Sequence, residues 1–552
     1  MSKLDVEQLK AQSRGLRGTI AADIASDSTH VGEESAVLLK FHGTYQQEDR
    51  DARKAARTDG GEKAYAFMVR VKATGGRIPA RLWSAVDALA DRHGNGTIRI
   101  TTRQGLQLHG VRKPDLKPVI ADIVANLGST LATCGDVVRN VIATPWPYEH
   151  AAYAAAREAA GAIARELMPR TGAYLEIWQD GESVHSAGGE DDPLYGPAYL
   201  PRKFKIAVAV PSDNSVDLYT NDLGVVPVHR DDRLVAYDLV VGGGLGRTHG
   251  KTTTYPRLAD PLGSVAPERL LDAVRAIVAV QRDHGDRTDR RHARLKYLIA
   301  ERGVAWFRAE VERVAGFALE PWRELPAWHD APRYGWHAQG DGRWFLGLHV
   351  ASGRVRDEGS RRLKSALRAL ADTFGYDFIG TPGQQLLVAG VPSEARDDVD
   401  ALLRAFGVEA PEAVSPVRGR ALACPALPTC GLSLAESERA IPALLDGIEA
   451  ELAAAGLAGT PITIRMTGCP NGCARPYVAE IGIVGQSADR YQIYLGGSPA
   501  STRLAKLWRE KVSLAEIPVL LAPLFAGYRA GRRDGESFGD WTLREALAEV
   551  PA

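Results

Sequence analysis

Four of the five cysteines in this 552-residue chain fall into two close pairs, Cys424-Pro-Ala-Leu-Pro-Thr-Cys430 and Cys469-Pro-Asn-Gly-Cys473, with thirty-eight residues between the pairs. Four thiolates on two turns rich in Pro and Gly can close around a tetrahedral metal ion or an iron–sulfur cluster. A zinc ribbon spaces its pairs as C-x2-C to C-x4-C, and intervals of five and three residues suit that template poorly. A cubane, whose corners stand further apart than the ligands of one ion, fits better. Isolated free cysteines are often just small buried hydrophobes, but that does not account for this clustering. A zinc-stapled binding protein is the non-enzymatic reading of the same residues, and it predicts a colourless protein.

The elements that must position these turns are organised as a long repeat. Residues 66–111 run Ala-Phe-Met-Val-Arg-Val, then the helical stretch Leu82–Ala90, then Thr97-Ile-Arg-Ile-Thr-Thr-Arg-Gln-Gly-Leu-Gln-Leu-His-Gly-Val111. Residues 344–391 repeat the plan with Trp344-Phe-Leu-Gly-Leu-His-Val, the helical stretch Leu363–Ala371 and Gly383-Gln-Gln-Leu-Leu-Val-Ala-Gly-Val391, and Gly110 and Gly390 fix the offset at 280. Strand, helix and strand pair describe a ferredoxin-like α+β unit, and so large an offset means a duplicated half-molecule. Each copy precedes a second kind of unit. The first contains Leu200-Pro-Arg-Lys-Phe-Lys-Ile-Ala-Val-Ala-Val210 and Val240-Val-Gly-Gly-Gly-Leu-Gly246; the second contains Arg475–Gly485 and Ile493-Tyr-Leu-Gly-Gly497. Strand, Gly-rich turn and helix is the order expected in both, yet only the second copy has the cysteines. Gly242-Gly-Gly-Leu-Gly lacks the spacing of a dinucleotide fingerprint, so no nucleotide site is expected.

The expected divisions are an N-terminal extension and wrap at 1–60, ferredoxin-like half-domains at 61–150 and 331–410, a unit without cysteine ligands at 151–330 and the cysteine-bearing unit at 411–552. Charged residues make up 25% and apolar residues 45%, and Lys+Arg and Asp+Glu both count 68. That composition is of an ordinary globular protein, with no global case for nucleic-acid or membrane binding. No run of eighteen apolar residues occurs, and the N-terminus lacks the apolar segment of a signal peptide. An odd cysteine count without a disulfide pattern suits a reducing cytoplasm.

Leu39-Lys-Phe-His-Gly-Thr-Tyr-Gln-Gln-Glu-Asp-Arg50, Arg99-x-Thr-x-Arg103, Leu200-Pro-Arg-Lys-Phe-Lys205, Gln281-Arg-Asp-His-Gly-Asp-Arg-Thr-Asp-Arg290 and the cysteine pairs resemble the sulfite and nitrite reductases with a coupled sirohaem–[4Fe–4S] centre. The likeness is greatest to assimilatory sulfite reductase haemoproteins, from Leu39 to Trp541. It implies two halves about a pseudo-twofold axis, each a ferredoxin-like unit followed by a sirohaem- or cluster-type α/β unit. It also implies six-electron reduction of sulfite to sulfide for sulfate assimilation and cysteine biosynthesis, with nitrite reduction to ammonia as the alternative.

By the same resemblance Cys424, Cys430, Cys469 and Cys473 hold the cluster, and Cys473 also bridges to the sirohaem iron. Asn471 and Gly472 are expected to make the tight turn and donate backbone N–H groups to cluster sulfurs. Arg70, Arg139, Lys203 and Lys205 are the implied sulfite ligands. Lys203 and Lys205, two apart on an expected strand, share one face beside Arg202 while Phe204 points away. Arg99, Thr101, Arg103, Gln107, His109 and Arg294 are the implied sirohaem contacts, with Arg99, Thr101 and Arg103 expected on one strand face. In the second copy Gly383 stands at the position of Arg103 and Ala389 at that of His109. The run Arg287, Arg290, Arg291, Arg294, Lys296 reads either as a cofactor-carboxylate contact or as a charged helix face. Some relatives carry a tyrosine–cysteine thioether, here Tyr45 and Cys134; an inert buried thiol is the other reading of Cys134. No flavin or nicotinamide domain is expected in the chain, so electrons come from a separate protein, an NADPH-dependent flavoprotein or a ferredoxin.

Overall fold

Side-chain alternation sets the first sheet. In the strands Tyr65–Val71, Ile98–Ile100 and Leu106–Val111, the residues Phe67, Val69, Ile98, Ile100, Leu106 and Leu108 are wholly buried in one core. The residues between them, Arg70, Arg99, Gln107 and His109, take the other face. Arg70 stands opposite Gln107, and Gln107 opposite Arg99, so the register lines these polar side chains up across three strands. The computed structural model describes residues 5–53, 63–170, 176–179, 182–186, 192–410 and 413–548; the boundaries expected at 60/61 and 410/411 involve residues outside this set.

The first sheet runs Thr44–Glu48, Tyr65–Val71, Leu106–Val111, Ile98–Ile100, Arg354–Val355, and its counterpart runs Gly335–Ala338, Arg343–Leu348, Leu386–Pro392, Asp377–Gly380, Arg77–Ile78. Each sheet is thus closed by a two-residue strand from the other half: Arg354–Val355 pairs with Ile98–Ile100, and Arg77–Ile78 pairs with Asp377–Gly380. The helices Ala80–His93 and Leu363–Phe374 bury their apolar stripes in a single core that both sheets share. The N-terminal extension does more than wrap, because Thr44–Glu48 is an edge strand of the first sheet.

The larger units also match strand for strand. Ile142–Ala143, Ile206–Val208 and Leu223–Arg230 are parallel, followed by antiparallel Arg233–Val241 and Asp260–Val265. Leu422–Ala423, Ile464–Thr467 and Ile481–Ser487 are likewise parallel, followed by antiparallel Arg490–Leu495 and Lys506–Val512. Helices such as Leu270–His284 and Glu516–Gly531 supply the apolar cover of the two cores. The fold is therefore α+β, with duplicated halves about a pseudo-twofold axis.

Two expectations need correction. The Gly-rich turns at 242–246 and 496–497 lead into a further strand before any helix, because the sheet continues past them. The strand expected over 200–210 is regular only at Ile206–Val208, preceded by a single bridge from Phe204 to Val138.

Residues at the axis show how closely the copies correspond. Gln104 and Gln384, 280 apart, both hold left-handed φ of 63° and 62°. Each amide spans the two kinds of unit, its oxygen accepting from Ala143 N or Ala423 N and its nitrogen donating to Gly380 O or Ser352 O. Asp217 and Arg475, 258 apart, are likewise both left-handed, with φ of 48° and 59°. They form a buried ion pair with each other, and Arg465 Nη1 joins the same carboxylate at 2.7 Å. Removing one member of a buried charge network typically costs about 3–5 kcal/mol, because the others are left unpaired. Asp217→Ala should lower the thermal midpoint by several degrees, read by circular dichroism; a midpoint equal to wild type would show that the triad does not hold the halves together.

Candidate active site

The cysteine turns leave the C-terminal ends of two neighbouring parallel strands. Leu422–Ala423 runs into Cys424, and Ile464–Thr467 runs through Gly468 into Cys469, with Leu422 opposite Arg465 and Ala423 opposite Met466. Gly468 has to be glycine: a Cβ there would lie 2.1 Å from Ser433 Oγ and 2.4 Å from Ala435 O. Its amide donates to Cys424 Sγ at 3.3 Å, which ties the two turns together. Gly472 takes a left-handed φ of 62°, packed against the Tyr477 ring, and lets the chain double back between Cys469 and Cys473. Asn471 donates to the Cys469 sulfur from its backbone amide and from Nδ2, the latter at 3.5 Å. The Gly472 amide instead reaches the Cys469 carbonyl at 3.4 Å.

The four thiols differ in exposure. Cys424 and Cys469 are buried, Cys430 is half-buried and Cys473 is exposed. Burial, followed by the proximity of Cys473, pushes the Cys424 and Cys469 thiols up to about 12 and raises Cys430 as well. Thiols so hard to ionise, gathered within electrostatic reach of one another, suit a metal centre that takes the place of their protons. Among the described residues no three or more His, Cys, Asp and Glu side chains are arranged to hold a single metal ion. The five- and three-residue intervals between the cysteines are the ground for a cluster over a zinc ion.

Around Cys473 lies a group of cations with few acids. Lys205 is held down to about 7 by burial and then by Arg103 and Arg294, while Cys473 acts on it in the opposite sense. Lys203 is held well below its ordinary value by burial and by Arg202, Lys205, Arg294 and Arg139. Phe204 is buried on the opposite side and both lysines are half-buried, so the expected alternation is present without a regular strand. Arg139 donates to the carbonyls of Gly135 and Thr133, and Arg70 Nη1 to Cys134 Sγ at 3.1 Å. Tyr45 belongs to this group too; burial and then the adjacent Cys134 raise its phenol, and Arg139 and Arg70 oppose the rise. Arg70 Nε, Arg103 Nε and both ring nitrogens of His109 are buried without a hydrogen-bond partner. An underpaired cationic lining with orphaned donors fits a polycarboxylate such as sirohaem.

Several expected contacts are placed differently. The strand ends at Ile100, so Thr101 and Arg103 sit on the turn that follows and do not continue the face of Arg99. Arg103 crosses to Asn221 Oδ1 at 2.9 Å and to the Asn140 carbonyl at 2.6 Å, and Thr101 Oγ1 accepts its amide. Arg99 binds the carbonyls of Ser352 and Ala423 and approaches Glu438, which fixes the strand entering Cys424. Gln107 reaches Met68 Sδ at 3.5 Å. Arg294 forms a two-pronged pair with Asp222 at 3.0 and 2.7 Å. The rest of its run divides: Arg287 and Arg290 bind Glu7 and Asp136, Arg291 binds Asp289, and Lys296 caps the carbonyls of Gly244 and Gly246. Arg287, Arg290, Arg291 and Arg294 precede the helix Leu295–Arg302 and Lys296 alone lies on it, so the run is not a helix face.

Asp222, absent from the expected set, is the residue that organises this wall, since it also accepts the Lys205 amide at 2.8 Å. Its twin Glu480 accepts the Thr463 amide at 2.8 Å. The pairing was available in Asp222-Leu-Gly-Val-Val against Glu480-Ile-Gly-Ile-Val, an acid before the same apolar strand pattern in each copy.

The chain matches the nitrite and sulphite reductase 4Fe-4S domain over residues 158–319 and the nitrite/sulfite reductase ferredoxin-like half domain over residues 60–126 and 337–406. It is 48% identical to a Synechococcus elongatus "Sulfite reductase [ferredoxin]", covering 98% of this chain and 89% of that protein. It is 47% identical to a Myxococcus xanthus "Sulfite reductase [NADPH] hemoprotein beta-component", covering 99% and 97%. The solved structure of the Mycobacterium tuberculosis NirA protein is 25% identical, with a TM-score of 0.81 over 98% of this chain and 96% of that one. The fold and site define a redox protein with a cluster and a haem. The chain belongs to the nitrite and sulfite reductase family, whose cofactors are sirohaem and a [4Fe–4S] cluster. No described helix is long and apolar enough to cross a membrane.

Lys205 gives a test of the buried charge. Its folded value of about 7 lies below the ordinary 10.5, so between those pH values the unfolded chain holds a proton that the folded chain has released. Stability contributed by the neutral amine is full above 10.5 and is lost as pH falls toward 7. Cofactor-free Lys205→Met should therefore unfold at higher urea than wild type at pH 7 and match it above 10.5. A lower midpoint at pH 7 would show that the ammonium is well paired.

Proposed function

We propose that this chain is the haemoprotein of a sulfite reductase, taking sulfite to sulfide with six electrons. The observation that carries the reading is the meeting of the exposed Cys473 with Lys203, Lys205, Arg103 and Arg139 in one underpaired cationic wall. Cys424, Cys430, Cys469 and Cys473 would hold the cluster, and Cys473 would also hold the sirohaem. Arg103 and His109, which keep orphaned nitrogens, would meet the sirohaem carboxylates together with Thr101 and Gln107; Arg99, Arg294 and Asn471 would brace the surrounding segments. When bound, these groups supply electrons singly to the substrate sulfur. Arg70, Arg139, Lys203 and Lys205 bind and orient the dianion. Guanidinium forks fix its oxygens, while the lysines, their proton affinity lowered by burial, release protons as oxygen leaves as water.

Electrons arrive from a separate protein. We favour a flavoprotein using NADPH over a ferredoxin, on the name of the Myxococcus relative, and steady-state rates with each donor distinguish them. For the reaction itself, reconstituted enzyme with reduced methyl viologen should turn over sulfite faster than nitrite; the reverse order would make it a nitrite reductase. Lys203→Ala or Lys205→Ala should each lose about 1.5–3 kcal/mol of charge-assisted bonding, roughly ten- to a hundredfold in kcat/KM, with cofactor content intact. Cys473→Ser should abolish turnover.

Tyr45 and Cys134 stand together beside Arg70 and Arg139, and we infer a thioether between them. The thiol S–H and a ring C–H ortho to the phenol are replaced by one C–S bond, and the two electrons and two protons pass to dioxygen as the oxidant, giving hydrogen peroxide. Peptide mass spectrometry should find the two peptides joined and two hydrogens lighter; a fully alkylatable Cys134 in active enzyme overturns the link.

A further inference from the structure

Lys203 precedes the regular strand Ile206–Val208, so its direction is set by other contacts. Its neighbour Phe204 is tied to the facing segment, the amide donating to Val137 O at 3.1 Å and the carbonyl accepting from Arg139 N at 2.8 Å. The Phe204 ring is buried in the core at 1% exposure. On the other side of Lys203, Arg202 turns to the carboxylate of Asp136, its Nη1 3.6 Å from Oδ1. Lys203 thus stands between two anchored neighbours.

Asp136 is the centre of the second anchorage. Its Oδ2 takes Arg290 Nη2 at 2.6 Å and Lys10 Nζ at 3.6 Å, and the residue is 2% exposed. Lys10, on the first helix Val6–Gln12, donates to the Leu200 carbonyl at 2.8 Å, while the Leu200 amide donates to the Asp136 carbonyl at 3.0 Å. Asp136 therefore grips the segment twice, by its main chain at Leu200 and by its side chain at Arg202. Burial alone would raise its carboxyl, but Arg290, Lys10 and Arg202 outweigh burial and hold it below the ordinary range. The group that meets them is therefore the anion. Arg202 is, after burial, the charge that acts most strongly on Lys203. The N-terminal helix and Arg290 so converge, through one carboxylate, on a residue of the substrate wall.

We propose that Asp136 is a positioning residue for sulfite reduction: with Lys10 and Arg290 behind it, its carboxylate fixes Arg202 and so sets where Lys203 presents its amine to the substrate oxygens. This role rests on Lys203 being a sulfite ligand. A displacement of about 1 Å in such a group can cost about a hundredfold in rate, and groups that bind substrate owe their precision to the shell that supports them. Asp136 acts from that shell, its oxygens already facing three cations.

Steady-state kinetics of the holoenzyme with sulfite and reduced methyl viologen test this role. Asp136→Asn keeps the shape and removes the charge. It should raise KM for sulfite at least tenfold and lower kcat less than threefold, with iron content and visible spectrum unchanged. Asp136→Glu, which restores the charge, should recover most of the loss. Because the effect passes through Lys203, Asp136→Asn should add less than twofold to Lys203→Ala in the double variant. A multiplied effect there, or a KM equal to wild type in Asp136→Asn, overturns the proposal. So does a loss confined to kcat and cofactor content, the mark of a purely structural role. Arg290→Gln covers an Asp136 variant that does not fold, since that side chain is 42% exposed; its KM should rise at least threefold, and an unchanged KM overturns the proposal. A Lys203→Ala enzyme with normal KM would remove Lys203 from the substrate and the role of Asp136 with it, a failure that this variant alone tells apart.

Discussion

Positive charge held inside a protein without enough acids to balance it is the constraint on which this structure turns. Arg103, Arg139, Lys203 and Lys205 crowd one wall, and burial with mutual repulsion drives Lys205 down to about 7. Left to itself such a cluster destabilises the fold. Two scaffolds keep it in place. Asp222 clamps Arg294 and the Lys205 amide from behind, and the carbonyls of Gly135, Thr133, Asn140 and Ile206 hold the guanidinium groups of Arg139 and Arg103. An anion bound against this wall would offset that cost.

Duplication explains how the chain can carry such a wall. A twofold scaffold offers each position twice, and only one copy has to meet the chemistry. At the equivalent positions of the other copy, Thr463 stands for Lys205, Gly383 for Arg103 and Ala389 for His109. The parts that hold the halves together do not differ in this way. Gln104 and Gln384 accept from the equivalent amides Ala143 N and Ala423 N, and Asp222 and Glu480 each cap the strand beside them. The axis is crossed by an unlike pair, Asp217 with Arg475, an arrangement that requires the two halves to be different.

Much of this could be read from the residues. The repeat, the cysteine turns and the opposite faces of Lys203 and Phe204 follow from spacing and alternation, which act locally. The misplaced contacts fail for a nonlocal reason. Period two carried Arg99 on to Thr101 and Arg103, but the strand stops at Ile100 where the chain must turn to meet Asp377–Gly380 of the other half. Arg294 is implied as a sirohaem contact, and nothing in its own segment shows that Asp222, seventy-two residues away, pairs with it. The polar network depends on which distant acids reach which cations, and spacing along the chain does not encode that.

The exchanged two-residue strands impose an order of events. Ile98–Ile100 gains its outer neighbour only when Arg354–Val355 has been made, and Arg77–Ile78 has no sheet to join until Asp377–Gly380 exists. At about 5–20 residues per second of synthesis, that is tens of seconds in which the first half presents an open β-edge. Such edges attract other chains. The arrangement that locks the finished halves together makes the nascent chain depend on shielding until its C-terminal half has been made.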